Sequence, residues 1–237
     1  MSNTWFRFKK FMINQDKAAM KVGVDGVLLG AVSCFKDAET ILDIGAGTGL
    51  LSLMAAQKSK AKITALEIEK GAYVQCVENV ILNGQTERIK SLNMSFQDYR
   101  KAEKQKFDFI ICNPPFFEKS FKSVNLKRNT ARHSNTLSKK DLVEGVVELL
   151  NPRGIFSLIL PSEFEKSFEK LCHRNNLYCI YKMYIYPKPD KTHNRIIFEF
   201  SFEKKAIKQE KIIIRDKHTN QYTGDYKKLT KDFYLHF

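Results

Sequence analysis

From position 40 onward, the sequence alternates between short apolar runs and longer stretches with helical spacing of apolar residues. This alternation is typical of an α/β fold with a mainly parallel sheet, because parallel strands need long crossover connections. We expect strands over residues 40–45, 62–68, 89–94, 107–112, 154–160, 178–186 and 195–202. We expect helices over residues 50–58, 70–83, 139–150 and 162–175, and a turn over 151–154.

The two ends of the chain carry further patterns. Large apolar and polar residues alternate over residues 1–13, which predicts a short β-hairpin. Residues 17–35 form another helical candidate, which contains three glycines. After the seventh expected strand, residues 210–216 could add an eighth strand and residues 226–235 a terminal helix.

Length and composition limit the class of protein. With 237 residues and no linker or repeat, we expect one domain over 1–237, with an N-terminal elaboration over 1–38 and a core with a C-terminal extension over 39–237. No apolar run reaches the roughly 18 residues of a membrane span, and the charged N-terminus lacks a signal-peptide pattern. The five cysteines form no CxxC pair, which favours reduced thiols over disulfides or a zinc site. The sequence predicts a cytoplasmic protein, monomeric and without metal.

Net charge gives the first indication of a partner. The formal net charge is +14, which favours a polyanion such as nucleic acid, although a general preference for lysine at solvated positions would give the same total. The distribution of the basic residues along the chain decides between these two explanations. Residues 119–140 contain seven Lys or Arg and no Asp or Glu, and only Phe117 and Glu118 separate them from the sequence NPPF. Basic residues beside a candidate site are better explained by phosphate contacts than by solubility.

The segment DIGAGTG joins the first core strand to the following helix. Its glycines Gly45, Gly47 and Gly49 let the backbone approach a ligand at the helix N-terminus. A dinucleotide site would need GxGxxG and space for a diphosphate, which Asp43 would repel. Asp43 instead suits a ligand with an amino group and a positive centre, and Glu67 at the end of the second core strand can bind two ribose hydroxyls. S-adenosylmethionine (SAM) has all of these groups, so we expect it as the cofactor.

The fourth core strand ends in the rigid sequence Asn113-Pro114-Pro115-Phe116. An exocyclic amine of adenine, or a carboxamide nitrogen, is a weak nucleophile because its lone pair is delocalised. The Asn113 side-chain oxygen and the Pro114 carbonyl can accept both N–H bonds of such a group and direct its lone pair at a methyl donor. Phe116 offers a face on which a base can stack. This motif therefore predicts an amino methyltransferase.

Together, DIGAGTG and Glu67 resemble the class I SAM-dependent methyltransferases. This resemblance implies a Rossmann-like α/β fold with a seven-stranded, mainly parallel sheet whose last strand is antiparallel. In many members, an acid after the third strand contacts the adenine of the cofactor. The matching position here is Ser95, so Ser95, Phe96 and Asp98 are all candidates for that contact.

A narrower resemblance covers nearly the whole chain. Five blocks of the sequence resemble, in the same order, those of the bacterial tRNA1(Val) (adenine-N6)-methyltransferases, which act at position 37. The blocks are FRFKKFMINQDKAAMKVGVDGVLLGA, NPPFF, ARHSNTLSKKDL, THNRIIFEF and YTGDYKKLTKDFYL. Membership of that family implies that Gln15, Lys21 and Gly23 lie near SAM. It also implies that residues 113–116 hold the target adenine, with tRNA as the partner.

The remaining candidates concern RNA binding. A target adenine must leave its stack to reach such a pocket, and nearby basic residues can hold the flanking phosphates. The phosphate-binding candidates are Lys127, Arg128, Arg132 and Lys139. His133 either contacts RNA or caps a turn, and Arg195 either faces the substrate or pairs with a carboxylate.

Three alternative functions stay open from the residues. Guanine-N2 methylation of rRNA also uses NPPF, but those enzymes often carry a duplicated methyltransferase half. Methylation of a release-factor glutamine uses the same chemistry on a protein, which would not call for the basic charge of residues 119–140. A catalytically idle RNA-binding module is the alternative outside enzymes, and the intact motifs argue against it.

Overall fold

Ten strands and seven α-helices are formed by the residues that this computed structural model describes, which are 3–103, 105–114 and 137–237. The strands are β1 Trp5–Arg7, β2 Met12–Asn14, β3 Thr40–Ile44, β4 Lys62–Glu67, β5 Ile89–Asn93, β6 Phe107–Cys112, β7 Leu150–Pro161, β8 Tyr178–Tyr186, β9 Arg195–Ser201 and β10 Lys208–Ile213. The helices are α1 Val24–Val32, α2 Leu50–Lys58, α3 Lys70–Leu82, α4 Phe96–Ala102, α5 Lys139–Leu149, α6 Glu165–Arg174 and α7 Gly224–Thr230, and a 3₁₀ turn, Ser162–Phe164, precedes α6.

Eight of the strands form one sheet in the order β10-β8-β9-β7-β6-β3-β4-β5. Within this sheet, β9 is the only strand of the described residues that runs antiparallel to its neighbours, β7 and β8. The expected α/β fold, a mainly parallel sheet whose seventh strand is antiparallel, is therefore confirmed. The segment that could add an eighth strand does so, since β10 pairs in parallel with β8 at the sheet edge.

Buried apolar residues explain why β6 lies in the middle of the sheet. Both faces of β6 are covered, and Phe107 and Ile110 are completely buried. Asp108 interrupts this apolar run because it ties strands together at the amino edge. Its Oδ2 accepts hydrogen bonds from the Glu39 and Thr40 backbone N–H groups, each at 3.0 Å.

The expected turn over 151–154 is wrong. Helix α5 ends at Leu149, but the chain continues directly into β7, which begins at Leu150. Leu150 pairs with Phe107 and Ile155 with Phe109, so the intervening residues form an irregularity within the strand. Burial of Leu150 and a 2.6 Å hydrogen bond from Asn151 Nδ2 to Asp108 Oδ1 keep this segment beside β6.

Helices cover both faces of the sheet. Helices α1, α2, α3 and α7 contribute buried side chains to one core, and α4, α5 and α6 contribute to the other. The expected N-terminal hairpin is present as β1 and β2, and it packs on α3. Asn79 of α3 and Asn83, which directly follows this helix, accept hydrogen bonds from the backbone N–H groups of Asn14 and Met12 at 2.8 and 2.9 Å. None of the helices in the described ranges is long and apolar enough to cross a membrane.

Candidate active site

The three sequence motifs meet at one edge of the sheet. Ile44 at the end of β3 pairs with Leu66 of β4 on one side and Cys112 of β6 on the other. The next residues along these three strands are Gly45, Glu67 and Asn113. Parallel pairing thus places the glycine loop, the predicted ribose-binding acid and the predicted amine-binding amide side by side at the carboxyl edge, where open α/β sheets bind ligands.

The glycine loop leaves space where a ligand can lie. Gly45 and Gly47 have φ angles of +72° and +55°, and a methyl group on either would project into open space. Gly49 serves packing instead, since a methyl group there would lie 2.9 Å from Cys76 Sγ. The backbone can therefore approach a cofactor closely at the first two glycines.

Glu67 is held in place by the loops it joins. Its Oε2 accepts a hydrogen bond from Gly47 N–H at 2.8 Å, and its Oε1 accepts one from Glu69 N–H at 2.8 Å. Glu69 itself caps α3 by accepting bonds from the N–H groups of Gly71 and Ala72. Each carboxylate oxygen of Glu67 keeps a second lone pair for a ligand hydroxyl. Glu69, in contrast, is committed to its helix.

Asp43 is completely buried, and only one of its two carboxylate oxygens has a hydrogen-bond partner among the described residues. Ser52 Oγ donates to its Oδ2 at 2.6 Å, whereas its Oδ1 has no hydrogen-bond partner among the described residues. Burial, with a smaller contribution from the nearby charge of Glu67, raises the pKa of Asp43 to about 7 against the lowering effect of the Ser52 hydrogen bonds. An orphaned buried carboxylate oxygen fits a cationic group, so the site suits the ammonium of SAM.

The three cofactor candidates before α1 belong to one loop. Gln15 is 4% exposed, and its amide closes this loop by donating to Asn3 O at 3.0 Å and accepting from Val22 N–H at 2.9 Å. Lys21 Nζ also donates to Asn3 O, at 3.2 Å. Gly23 directly precedes α1 in an extended conformation. Gln15 therefore shapes the loop through one hydrogen bond inside it and one to the segment before β1.

The candidates for the adenine end of SAM lie in different environments. Ser95 caps α4 by accepting from Asp98 N–H at 3.0 Å, and it donates to Asp98 Oδ2 at 2.6 Å. Phe96 is 4% exposed and packs against Gly145 in the core. The Asp98 side chain is 66% exposed, so it is the most accessible of the three.

One residue beside this site was not singled out from the sequence. Ile68 follows Glu67 and is 46% exposed, although it is a large apolar residue. Asn93 Nδ2 fixes this turn by donating to Glu67 O at 2.9 Å and to Ile68 O at 3.1 Å. The sequence reasoning counted Ile68 as the end of a strand, whereas its exposure next to the acid provides an apolar surface for a ring. An apolar residue directly after a strand-ending acid was the available signal.

Asn113 lies between the glycine loop and the first turn of α1. A methyl group at Gly26 would lie 3.5 Å from Asn113 Nδ2 and 3.0 Å from Leu50 Cδ2. Asn113 is half-buried, and Pro114 is buried. The predicted site residues Pro115 and Phe116 lie outside the described residues.

Most of the predicted RNA-binding residues also lie outside the described residues, namely Lys127, Arg128, Arg132 and His133. Lys139 is described and begins α5, with its Nζ 3.3 Å from the centre of the Phe164 ring. For Arg195, whose partner the sequence left open, Nε donates to Asp25 Oδ2 at 2.9 Å. The described part of the chain contains no group of three or more His, Cys, Asp or Glu side chains that could hold a metal ion.

Comparison with known proteins identifies the family. Residues 26–162 match the methyltransferase small domain family. The tRNA1(Val) (adenine(37)-N6)-methyltransferase of Bacteroides fragilis is 40% identical over 236 residues, which cover 99% of each chain. The protein of the same name from Histophilus somni is 40% identical over 234 residues, or 98% of each chain. The chain belongs to this methyltransferase family.

The fold of this methyltransferase is shared more widely than its sequence. A solved structure described as a predicted O-methyltransferase, from Agrobacterium tumefaciens, superposes with a TM-score of 0.68 at 17% sequence identity. The superposition covers 88% of this chain and 96% of that one. At this identity the likeness bears on the fold alone, and it agrees with the Rossmann-like architecture.

Proposed function

We propose that this methyltransferase transfers a methyl group from SAM to N6 of adenine 37 in tRNA1(Val). One observation carries the proposal: Asn113 lies at the sheet edge beside the glycine cradle and Glu67, in a chain that aligns end to end with relatives named for this reaction. The amide thus stands next to the place where a methyl donor fits.

The cofactor half of the site has groups that suit the ammonium, the ribose and the adenine of SAM. The unpartnered Oδ1 of Asp43 suits the ammonium, Glu67 suits the ribose hydroxyls, and Ile68 with Asp98 suits the adenine. Bound SAM supplies an electrophilic methyl group on a sulfonium. The chain's own task is to hold and orient both partners, which accounts for much of the rate in a transfer between two bound groups.

The amine half of the site follows from the chemistry of adenine. The N6 lone pair is delocalised into the ring, so the amine attacks only when it becomes more pyramidal. Asn113 Oδ1 and the Pro114 carbonyl are the two acceptors we assign to its N–H groups. Acceptors fixed in advance favour the developing positive charge on nitrogen and cost no reorganisation during transfer. The amine loses its proton readily once methylated, so no strong base is required.

The basic charge of the chain supports an RNA substrate. The net charge of +14 and the seven basic residues over 119–140 favour attachment to phosphates. We infer that Lys139, at the described end of this basic segment, contacts the RNA backbone together with the other basic candidates there. We further infer that the enzyme acts as a monomer in the cytoplasm.

Nucleoside mass spectrometry of tRNA from cells that lack this protein tests the proposed substrate. We expect N6-methyladenosine to disappear from tRNA1(Val) and to return when the wild-type gene is restored. Restoration with Asn113→Ala should fail. Unchanged N6-methyladenosine in tRNA1(Val) would show that the substrate is another molecule, and analysis of rRNA and release factors from the same cells would examine the other amino groups that this chemistry can methylate.

A further inference from the structure

An ion pair connects the N-terminal helix to the antiparallel strand near Asn113. Asp25 lies in the first turn of α1, and Arg195 is the first residue of β9. Arg195 Nε lies 2.9 Å from Asp25 Oδ2, and the two side chains are 25% and 28% exposed. Arg195 Nη1 also donates to Asn194 O at 3.0 Å, so the guanidinium is fixed on its own strand. The pair therefore joins two elements that are 170 residues apart in sequence.

The residue after Asp25 is the point at which α1 approaches the amide of Asn113. At Gly26, a methyl group would lie 3.5 Å from Asn113 Nδ2. The nitrogen of the amide thus faces the helix, which leaves the oxygen to accept a hydrogen bond from a substrate amine. Any displacement of the first turn of α1 would change the packing contact between this turn and the Asn113 amide.

The two ends of α1 are held in different ways. At its C-terminal end, Lys58 Nζ donates to Gly30 O and Ala31 O at 3.1 and 2.7 Å. At its N-terminal end, Gly23 provides no side-chain cap. Helix ends fray without such bonds, because the first four N–H groups have no partner inside the helix. The ion pair with Arg195 instead links the first turn of α1 to β9. In the sheet, β9 lies two strands, or about 10 Å, from β6, the strand that Asn113 follows.

We propose that Asp25 and Arg195 are positioning residues for methyl transfer. Their ion pair fixes the first turn of α1 against Asn113 and so keeps the amide oxygen directed at the target amine. This inference rests on the proposed function, because it assigns Asn113 to the amine. A misplacement of about 1 Å at such a group can reduce the rate about 100-fold, so a helix end that moves slightly is sufficient for a large effect.

Kinetics of Asp25→Asn and Arg195→Met on unmodified tRNA1(Val) test the proposal. We expect both variants to lose about 10- to 100-fold in kcat, with Kd values for SAM and tRNA within about twofold of wild type. Arg195→Lys, which keeps the charge, should recover part of this loss. Glu169→Gln is the matched control, since Glu169 forms a 2.9 Å ion pair with Lys182 away from Asn113. This control should lower the melting temperature without lowering kcat.

Two results would overturn the proposal. The first is wild-type kcat in folded Asp25→Asn, judged by its melting temperature and SAM affinity. The second is a raised tRNA Kd with a smaller salt dependence in Arg195→Met alone, which would mean that Arg195 contacts a phosphate. The wild-type enzyme is measured alongside, so that failure of the proposed function and failure of the positioning role give different results. A wild type that does not methylate tRNA1(Val) refutes the proposed function. An active wild type with an equally active Asp25→Asn refutes the positioning role.

Discussion

Asp43 makes SAM affinity depend on pH. Burial raises the pKa of this carboxyl to about 7 in the free protein. Below that pH the carboxyl is mostly protonated, and it must lose its proton before it can pair with an ammonium. The apparent affinity should therefore fall by a factor of ten for each pH unit below about 7, which corresponds to about 1.4 kcal/mol. Between pH 7 and pH 5, where the amino group of SAM stays mostly protonated, we expect the Kd for SAM to rise about 50-fold.

Isothermal titration calorimetry measures this effect in two ways. The Kd should follow the predicted curve between pH 7 and pH 5. Runs at pH 6 in two buffers of different ionisation enthalpy should show the release of about one proton per SAM bound. Asp43→Asn is the control, because it removes the titrating group and keeps the shape of the side chain. A Kd that is independent of pH, or the same pH dependence in Asp43→Asn, would refute the assignment of the ammonium to Asp43.

The Asp43 carboxyl should also make stability depend on pH, in the opposite direction to SAM affinity. Its pKa is raised from an ordinary value of 3.8 to about 7, so the folded protein binds more protons than the unfolded chain between these values. The free energy of unfolding should consequently decrease as the pH rises from about 4 to about 7, by up to roughly 4 kcal/mol from this group. Without SAM, Asp43→Asn should be more stable than wild type at pH 8 in a urea titration. Equal or lower stability of the variant would contradict this reading of the burial.

Four further substitutions separate cofactor binding, packing and positioning. Gly47→Ala should lower the free energy of unfolding by about 1–2 kcal/mol because of its positive φ alone, and it should weaken SAM binding. Gly49→Ala should lower it more, because the added methyl also lies 2.9 Å from Cys76 Sγ. Urea titrations of the two variants measure this difference. Glu67→Gln should raise the Kd for SAM about 10- to 100-fold by calorimetry. The substitution replaces one of the two accepting oxygens with an NH2 group, which cannot accept from the Gly47 or Glu69 N–H. Gly26→Ala should lower kcat while SAM affinity stays near wild type. The added methyl would lie only 3.0 Å from Leu50 Cδ2, so the first turn of α1, which faces Asn113, must shift. Unchanged kcat in steady-state kinetics would contradict the role given to this turn.

The parts of the fold that sequence reasoning predicted are those with local or periodic causes. Strand β6 and helix α2 have the expected bounds, since a buried apolar run and a glycine loop define them locally. The meeting of the glycine loop, Glu67 and Asn113 was predictable because the ends of adjacent parallel strands share one edge.

What could not be predicted depends on contacts between distant segments. The segment 151–154 has the composition of a turn, but the burial of Leu150 keeps it in β7. The partner of Arg195 lies 170 residues away on α1, and no local pattern indicates it. Phe96 follows a strand at a position typical of cofactor contacts, yet it fills the space over Gly145 in the core. Exposure of Ile68 became evident only once its neighbours were in place.

Mapping of the methylated nucleotide tests the central claim most directly. Purified wild-type protein and Asn113→Ala are each incubated with SAM and unmodified tRNA1(Val), and nuclease fragments of the RNA are sequenced by mass spectrometry. We expect the wild type to add one methyl group, on N6 of adenine 37, and Asn113→Ala to add none while its Kd for SAM stays near wild type. Methylation at another nucleotide, or near-normal transfer by Asn113→Ala, would contradict the account.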